Sequence, residues 1–325
     1  MILAAGLGTR MRPLTRLLAK PALPVLDRPL LHWTLDALAA AGVREVAINT
    51  HHLPATVRDA VGSGRRWGVR VTWSHERRIL GTGGGPRRLR AFLGDEPCLL
   101  VNGDVLFRFD LRPLVARQRR TGAPVVLGLI PNPDPRRYSA VTMDGGGRVR
   151  AIAGAPRPAS GRPWLFTGIH LIDPALLERL PRGRSDSVRD LYIPMLREDE
   201  HVEGVALRGA WYDLGAPPLY LASQLAMIRT TRVPGRARGC LVGRGAVVNR
   251  AAEVRRSVVG QATVIEKGAV VEDSVLWAGS RIGAGCVVRG SIVAGAAIRA
   301  GARSEGAIVM PGARAHVLPL EPPAR

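Results

Sequence analysis

The sequence predicts an α/β domain with a largely parallel sheet, followed by a small solenoid of short flat strands. Up to about residue 230, short apolar runs alternate with amphipathic stretches, an order typical of strands and helices in such a domain. After residue 238, glycine and other small residues dominate, and one aliphatic residue recurs at every sixth position. With 325 residues, 46% of them hydrophobic, the chain can bury the cores of about two domains.

The α/β domain is predicted to occupy residues 1–230. Apolar runs predict strands over residues 1–5, 46–49, 69–74, 97–101, 125–129 and 165–172. Amphipathic stretches predict helices over residues 30–41, 111–121, 174–180, 187–197 and 217–229. Because strands and helices alternate along the chain, we expect most strand pairs to be parallel.

The six-residue period predicts a second domain over residues 239–325, with residues 231–238 as the linker. The period matches neither a helical turn nor the alternation of a strand, but it fits a triangular coil with one inward aliphatic residue on each flat face. The pattern resembles the left-handed parallel β-helix of hexapeptide repeats, and about 75 residues at ~18 per coil predict roughly four coils. The aliphatic residues in phase are Val242, Val248 and Val254, then Val258, Val264, Val270, Leu276, Ile282 and Val288, then Ile292 and Ile298.

Charge and cysteine content restrict the function classes. The chain has 47 basic and 26 acidic residues, a net charge of +21 that attracts nucleic acid, anionic membranes and phosphorylated small molecules alike. Aromatic residues make up only 4% of the chain, and the sequence predicts no basic helix with interleaved aromatic residues. We therefore expect no nucleic-acid partner. No apolar run approaches the ~20 residues of a membrane span. Three widely spaced cysteines favour neither disulfides nor a metal cluster, and we expect a soluble cytoplasmic protein.

A glycine-rich turn follows the first predicted strand, in the run Leu3 to Arg10. Two glycines, Gly6 and Gly8, let backbone amides approach phosphate oxygens with no side chain in the way. Arg10 and the later Lys20 bring fixed positive charge to the same region. The spacing is not that of a Walker motif, and a tight structural turn that needs glycine would give the same pattern.

The run Gly6-x-Gly8-Thr9-Arg10-x-x-Pro13-x-Thr15, with the later Lys20-Pro21, resembles the signature of sugar-1-phosphate nucleotidyltransferases, the enzymes that make NDP-sugars. The resemblance extends over nearly the whole chain and implies a Rossmann-like, GT-A-like sheet. It also implies that Leu80 to Gly85 forms a second nucleotide-binding loop. The nucleotide-binding residues that it implies are Leu3, Ala5, Gly6, Gly8, Thr9, Thr82 and Gly83.

Two aspartates match the metal-binding positions of the family. Asp104 follows Asn102-Gly103 at the end of an apolar strand, and Asp213 stands in the run Trp211 to Gly215. Carboxylate oxygens are hard ligands that suit Mg²⁺, which keeps several waters and bridges to substrate phosphates. The resemblance therefore implies Mg²⁺ as the cofactor, held by Asp104 and Asp213.

The sugar-phosphate end departs from the family pattern. The resemblance implies Asn102, Ser139 and Gly168 as sugar-phosphate residues. Relatives carry a Glu-Lys-Pro after the strand at residues 148–152, but this chain has no lysine there. Arg157 or Arg162 is the expected substitute, although a guanidinium is not equivalent to an ammonium.

The implied reaction joins a nucleoside triphosphate to a sugar 1-phosphate with loss of pyrophosphate. Arg10 is assigned to the triphosphate and the leaving pyrophosphate, and Lys20 to the α-phosphate and the incoming oxygen, so both are catalytic candidates. GTP and mannose 1-phosphate are the favoured substrates, because the C-terminal hexapeptide domain accompanies that branch of the family.

Several alternatives stay open. One is uridylyl or thymidylyl transfer to another sugar 1-phosphate, such as that of glucose or N-acetylmuramic acid. Another is a non-catalytic regulatory subunit, although Arg10, Lys20, Asp104 and Asp213 are all present. A third is acyl transfer by the hexapeptide domain, which would need a histidine as general base. The sequence has one histidine after residue 201, His316. We expect the hexapeptide domain to serve packing, assembly or regulation, and the chain to form a homo-oligomer.

Overall fold

The computed structural model describes residues 1–156, 161–230, 236–237, 239–312 and 316–320. They form two compact units. The first unit comprises Met1–Leu7, Ala19–Pro21 and Leu31–Tyr212, and the second comprises Gly8–Leu18, Ala22–Leu30 and Asp213–Arg325. The domain boundaries predicted from the sequence stay predictions, and most of the predicted linker 231–238 lies outside the described residues.

The first unit is built on a sheet of nine strands among the described residues, and its central strands are parallel. The shortest strand, Ile2–Leu3, lies in the middle and pairs in parallel with Glu45–Thr50 on one side and Cys98–Asn102 on the other. Seven strands follow one another across the sheet in the order Val149–Ile152, Ala140–Met143, Trp164–Ile172, Cys98–Asn102, Ile2–Leu3, Glu45–Thr50 and Arg70–His75. The other two strands form a branch, in which Val125–Pro131 pairs with Trp164–Ile172 and with Val202–Ala206. This arrangement confirms the predicted mostly parallel sheet.

The sheet is buried on both faces. Ala47 and Leu100 belong to the apolar cluster on one face, whereas their chain neighbours Ile48 and Val101 belong to the cluster on the other. Parallel strands that are covered by helices on both sides have this composition. The near-continuous apolar runs that predicted strands therefore reflect two cores rather than one.

The helices agree with most of the predicted ones. The α-helices span Leu30–Ala40, Pro54–Val61, Gly81–Arg88, Arg90–Leu93, Arg112–Thr121, Ile193–Arg197 and Pro217–Thr230. The predicted helix 174–180 is a 3-10 helix, Pro174–Arg179, and the predicted helix 187–197 begins with the π-helical turn Val188–Tyr192. Proline at position 194 has no N–H to donate, which weakens the regular α-helical pattern there. Further 3-10 turns span Thr9–Met11, Leu14–Arg16, Lys20–Ala22 and Arg65–Trp67.

The second glycine run was predicted as a loop, and this is wrong from Gly81 onward, where the helix Gly81–Arg88 begins. The N–H of Gly83 donates to the Ser185 carbonyl at 3.0 Å, and the Ser185 N–H donates to the Leu80 carbonyl at 2.9 Å. A methyl group at Gly83 would lie 2.8 Å from the Ser185 hydroxyl, so the glycines permit close approach of this segment. Contacts more than 100 positions away along the chain thus set the local structure.

Several strand pairs were not predicted from the sequence, and they include the strand Ala140–Met143, which pairs with Val149–Ile152. Val202–Ala206 extends the edge of the large sheet, and a separate antiparallel ribbon joins Leu106–Phe109 to Gly209–Tyr212. In the second unit a short hairpin joins Pro24–Val25 to Arg28–Pro29. These strands are short or carry charged residues, and the apolar pattern alone did not reveal them.

The second unit contains four stacked coils of parallel β-helix within the described residues, as predicted, and agrees with the left-handed hexapeptide type. The first face consists of Arg236–Ala237, Cys240–Val242, Val258–Val259, Val275–Leu276, Ile292–Val293, Ala307–Met310 and His316–Pro319. The second consists of Val247–Val248, Val264–Ile265, Arg281–Ile282 and Ala297–Ile298, and the third of Glu253–Arg255, Val270–Glu272, Val287–Arg289 and Arg303–Glu305. The outermost strands of the first face pair antiparallel to their neighbours.

The phase of the repeat differs from the prediction in its middle part and again at Ile292, where the following residue, Val293, lies in the core. Val259, Ile265 and Val271 lie in the core of the β-helix, each one position after the predicted Val258, Val264 and Val270. The reason is the length of a coil: Leu241 pairs with Val258 and Val258 with Val275, seventeen positions apart, so these coils take two steps of six and one of five. The last coil is one residue shorter, since Ile292 pairs with Ile308. The predicted core residues that are confirmed are Val248, Val254, Leu276, Ile282, Val288 and Ile298.

Candidate functional site

The first strand delivers the chain to the carboxyl edge of the sheet of the first unit, where open α/β sheets bind ligands. Leu3 is half-buried at the end of this strand, and Ala5 is buried. Gly6 is exposed, and a methyl group added to it would meet no atom within 4 Å. The backbone at Gly6 therefore faces open space, as a phosphate-binding turn requires.

Gly8 continues this turn in the second unit. Its backbone is left-handed, with φ at 60°, which favours glycine. The Gly8 carbonyl accepts a hydrogen bond from the Thr15 hydroxyl and another from the Met11 N–H, each at 2.9 Å. Thr9 and Arg10 are exposed on the turn that these bonds hold.

Lys20 and Asp104 form an ion pair within the first unit. The Lys20 Nζ lies 2.9 Å from Oδ2 of Asp104, and the side chains are 9% and 45% exposed. The backbone that leads into Lys20 is fixed by a hydrogen bond from the Ala19 N–H to the Thr56 hydroxyl at 3.1 Å. A nearly buried lysine side chain is thus paired with a half-exposed carboxylate.

Three predicted residues meet beside this pair. The Gly103 N–H donates to the Leu3 carbonyl at 2.8 Å, which ties the Asn102-Gly103-Asp104 run to the end of the central strand. Gly168 has a left-handed φ of 78°, and a methyl group there would lie 2.7 Å from the Asn102 side-chain nitrogen. The structure therefore brings Leu3, Asn102, Asp104 and Gly168 together at one edge of the sheet.

Asp213 is held in the second unit. Its Oδ1 accepts a hydrogen bond from the Gly215 N–H at 2.6 Å, and its carbonyl accepts one from the Ser223 hydroxyl at 3.0 Å. A methyl group at Gly215 would lie 2.7 Å from the same Asp213 oxygen and 3.6 Å from Nη1 of Arg10. The Arg10 guanidinium and the Asp213 carboxylate therefore flank Gly215.

The donor chemistry fits the predicted cation. Within the described ranges no group of three or more His, Cys, Asp or Glu side chains is assembled for a metal. Mg²⁺ is commonly held by one or two carboxylates together with substrate phosphates, so a half-exposed carboxylate such as Asp104 suits it without a larger cluster. Asp104 and Asp213 belong to different units, and a metal held by both stays a prediction.

Thr82 and Gly83 have partners inside the protein. The Thr82 hydroxyl donates to Oδ2 of Asp186 at 3.0 Å and accepts the Ser187 N–H at 2.9 Å. Gly83 is buried, with its N–H bound to the Ser185 carbonyl. Their predicted contact with the nucleotide stays a prediction, and the structure assigns them a clear role in fixing the segment around residue 186.

Two of the remaining residues predicted for the sugar phosphate, Ser139 and Arg162, lie in the described part of the chain. Ser139 is exposed immediately before the strand Ala140–Met143. Arg157 lies outside the described residues. The Arg162 guanidinium is exposed and stacks on the Trp164 ring, 5.4 Å from its centroid.

His170 lies on the same strand as Gly168, Trp164–Ile172, but it is a core residue. It is 1% exposed, and its ring packs against Phe166 and Tyr192 at centroid distances of 5.4 and 5.5 Å. Burial lowers the pKa of His170 to about 3, so the imidazole is neutral at physiological pH.

Sequence reasoning missed two buried polar residues beside the site, Asn49 and Glu76. Asn49 ends a central parallel strand, and its side chain joins the Ala4 N–H to the Glu76 carboxylate. Neither residue stands in a recognisable motif. The available signal was position alone: a polar residue at the carboxyl end of a parallel strand next to the glycine turn.

Known proteins resemble the chain over both of its parts. A family model described as "Nucleotidyl transferase" matches residues 1–229, and one described as "GlmU-like, C-terminal hexapeptide" matches residues 226–314. None of the helices in the described part of the chain has the length and apolar character of a membrane span.

Three relatives illustrate the range of similarity. The chain is 32% identical to a mannose-1-phosphate guanylyltransferase of Mycobacterium tuberculosis, over 70% of this chain and 64% of the relative. It is 27% identical to a UTP-glucose-1-phosphate uridylyltransferase of Synechocystis, over 72% and 66%, and 31% identical to a glucose-1-phosphate thymidylyltransferase of Actinoplanes, over 75% and 81%. The chain therefore spans just under two thirds of the length of the first two relatives.

Proposed function

The chain belongs to the nucleotidyl transferase family, and on this premise we propose that it transfers the nucleotidyl group of a nucleoside triphosphate to a sugar 1-phosphate, releasing pyrophosphate. The observation that carries the proposal is the ion pair of Lys20 with Asp104 beside the end of the central strand. A cation and a carboxylate at the carboxyl edge of a parallel sheet, next to an open glycine turn, suit a phosphorylated ligand.

The proposed step is an in-line displacement. An oxygen of the sugar phosphate forms a bond to the α-phosphorus, while the bond from that phosphorus to the bridging oxygen breaks and pyrophosphate takes the electron pair. The protein supplies positioning and charge, as in other phosphoryl transfers. No covalent intermediate with the enzyme is needed.

Lys20 is proposed to stabilise the charge that develops on the α-phosphate. Its side chain is 9% exposed and its ammonium is already held by Asp104, so it needs little reorganisation when a phosphate arrives. Arg10 is exposed on the turn after Gly8 and offers a planar fork of donors to the departing phosphates. The two cations therefore serve different phosphates.

Mg²⁺ is proposed as the cofactor, with Asp104 and Asp213 as the carboxylates that would hold it. When bound, it would neutralise phosphate charge and so favour the leaving group. Gly215 keeps the Asp213 carboxylate oriented through its N–H, whereas Lys20 orients the carboxylate of Asp104.

GTP and mannose 1-phosphate are proposed as the substrates, supported by the guanylyltransferase relative at 32% identity. The uridylyltransferase and thymidylyltransferase relatives, at 27% and 31%, make UTP or dTTP with glucose 1-phosphate the alternative. Backbone contacts to a base can serve purines and pyrimidines alike. A cytoplasmic location and a homo-oligomer stay predictions.

Pyrophosphate release tests the proposal. The purified chain is incubated with Mg²⁺ and each of GTP, UTP, dTTP, ATP and CTP, paired in turn with mannose, glucose and N-acetylmuramic acid 1-phosphates. We expect turnover to be highest with GTP and mannose 1-phosphate. Turnover with another pair would correct the substrates, and no turnover with any pair would overturn the enzymatic function.

A further inference from the structure

A chain of three hydrogen bonds connects the two glycine-rich segments of the first unit. The Ala4 N–H donates to Oδ1 of Asn49 at 2.7 Å, and Nδ2 of Asn49 donates to Oε1 of Glu76 at 2.7 Å. The other carboxylate oxygen, Oε2, accepts the Leu80 N–H at 2.8 Å. We call Asn49 and Glu76 the polar bridge, because they link the backbone before Gly6 to the backbone before Gly81.

The polar bridge is fully inside the protein. Asn49 is 2% exposed and Glu76 is 0% exposed. The backbone of Glu76 is also fixed, since its N–H donates to the Thr50 carbonyl and its carbonyl lies 2.8 Å from Nδ1 of His51. Buried polar groups are costly unless they are hydrogen-bonded, so the bridge holds both of its ends in one geometry.

Gly85 gives independent evidence that the second glycine run is shaped around the bridge. A methyl group at Gly85 would lie 2.8 Å from Nδ2 of Asn49 and 3.0 Å from Oε1 of Glu76. The φ angle of Gly85 is not in the left-handed region, so backbone strain does not explain this glycine. The close approach of the helix Gly81–Arg88 to the bridge explains why glycine stands at this position.

We propose that Asn49 and Glu76 are positioning residues that set the spacing of the two nucleotide-binding segments, residues 3–6 and 80–83, and thereby set the affinity for the nucleoside triphosphate. The inference rests on the proposed function for the identity of the ligand. The bridge holds the backbone N–H groups of Ala4 and Leu80. It therefore acts on two segments that contact every nucleoside triphosphate in the same way, whatever its base. Its loss weakens binding of every nucleoside triphosphate and leaves the preference among bases unchanged.

Single substitutions break the bridge in different ways. Asn49→Ala removes the link between Ala4 and Glu76. Asn49→Asp places a carboxylate against the Glu76 carboxylate, and Glu76→Gln places its amide nitrogen against the Asn49 nitrogen. For each we expect a rise in the KM and Kd of the nucleotide of at least about tenfold, the scale of one lost buried hydrogen bond.

The double substitution Asn49→Asp with Glu76→Gln restores the bridge with the donor reversed. Aspartate at position 49 accepts from the Ala4 N–H and from the glutamine nitrogen, and the glutamine oxygen accepts from the Leu80 N–H. We therefore expect the double variant to bind nucleotide more tightly than either single variant. Rescue of this kind is specific to the hydrogen-bond chain, because a direct contact of Glu76 with the base would not be restored.

The experiment measures GTP and UTP binding by calorimetry without sugar phosphate, the steady-state KM of both substrates, and the thermal unfolding of every variant. Glu203→Gln is the matched control: it breaks the buried Arg117–Glu203 ion pair of the same unit, and we expect it to lower stability with nucleotide affinity unchanged. Folded single variants with a raised nucleotide KM, an unchanged sugar-phosphate KM and rescue in the double variant support the inference.

The two proposals fail in distinguishable ways. Wild-type protein that binds nucleotide but turns over no substrate pair contradicts the proposed function, and the binding data then decide the role of the bridge. Unchanged nucleotide affinity in folded single variants, or a changed ratio of GTP to UTP affinity, overturns the positioning role. Absence of nucleotide binding by the wild-type protein overturns both proposals.

Discussion

The Lys20 ammonium donates to the Asp104 carboxylate at 2.9 Å, with the lysine nearly buried and the aspartate half-exposed. The pair lies beside the Asn102–Gly103 turn, which is itself bonded to the end of the central strand through Leu3. The site therefore carries its cation and its anion in fixed positions before any ligand is present.

Replacing Lys20 by methionine is expected to lower kcat by on the order of a few hundredfold, because one preorganised charge is lost from the transition state. Lys267→Met is the matched control, since Lys267 is the only other lysine and is exposed on the β-helix. Pyrophosphate release under saturating substrates measures the effect. A Lys20→Met protein with near wild-type kcat would remove this lysine from the chemistry.

Asp104→Asn and Asp213→Asn are each expected to lower Mg²⁺-dependent turnover at least about a hundredfold and to raise the Mg²⁺ concentration that gives half-maximal rate. An amide is a weaker ligand for a hard cation than a carboxylate. Titration of Mg²⁺ at fixed substrate checks this result. Asp110→Asn, which alters only the exposed Asp110–Arg112 pair, serves as the control. Full activity in either site variant would rule out its carboxylate as a required ligand.

The phase of the β-helix gives a prediction about stability. Ile265 is 1% exposed in the core of the coils, whereas its neighbour Val264 points away from that core. Ile265→Ala is expected to cost about 2 to 5 kcal/mol of unfolding free energy, because it leaves a cavity in a closely packed interior. Val264→Ala should cost clearly less. Chemical denaturation measures both, and an equal effect at the two positions would contradict the observed phase.

The β-helix repeat shows how much of this domain could be predicted from the sequence. The period of about six predicted a triangular coil and four turns correctly, but a step of four after Val254 placed Val258, Val264 and Val270 in the core. The observed step from Val254 is five, to Val259, and it moves the phase by one position. Such a step is invisible in composition, because an aliphatic residue stands at both alternative positions, as at Val264 and Ile265.

The site was predictable where a local pattern carries it. Gly8 needs a left-handed turn and Lys20 precedes a proline, and both stand in one short run. Asn49 and Glu76 lie 27 positions apart, and their hydrogen bond depends on the neighbouring order of two strands. The role of these two residues therefore depends on a tertiary contact, which local sequence patterns do not predict.

The contact of Trp277 with Tyr220 joins the β-helix to the helix Pro217–Thr230 within the second unit. The Trp277 Nε1–H donates to the Tyr220 hydroxyl at 2.9 Å, and that hydroxyl donates to the Pro24 carbonyl. Burial raises the pKa of Tyr220, so the phenol keeps the proton that it donates.

Tyr220→Phe is expected to cost about 1 to 3 kcal/mol of unfolding free energy, since it leaves the buried Trp277 N–H without its partner. Trp277→Phe is expected to cost less, about 1 kcal/mol, since the Tyr220 hydroxyl keeps its bond to the Pro24 carbonyl. The double variant should cost less than the sum, because it removes both partners of one bond. Thermal and chemical unfolding of the four proteins measures this coupling. Additive effects would show that the hydrogen bond contributes nothing beyond packing.

Asp27 gives a pH-dependent prediction. Its half-buried carboxylate accepts the Gln261 N–H at 3.1 Å through both oxygens, and burial raises the pKa of Asp27 above the ordinary value of 3.8. The folded state thus prefers the protonated acid. This contribution to stability is complete below pH 3.8 and is lost as the pH rises through the raised pKa.

Asp27→Asn is accordingly expected to stabilise the protein at pH 7 by at most about 1 kcal/mol, because solvent screens a half-exposed carboxylate. The gain should shrink towards zero as the pH falls to 3.8, the ordinary value from which burial raises the pKa of Asp27. Asparagine retains an oxygen that can accept the Gln261 N–H and tolerates the left-handed φ of 62° at this position. Thermal unfolding between pH 4 and 8 measures the difference from wild type.

Asp273→Asn is the control of opposite sign in the same unit. The Arg256 guanidinium lowers the pKa of Asp273, so this carboxylate stabilises the folded state once it is ionised. Its replacement should therefore reduce stability at pH 7, and the loss should diminish as the pH falls below 3.8. If Asp27→Asn also lowers stability at pH 7, the Asp27 carboxylate contributes more through its bond to Gln261 than it costs through burial, and the argument from its raised pKa fails.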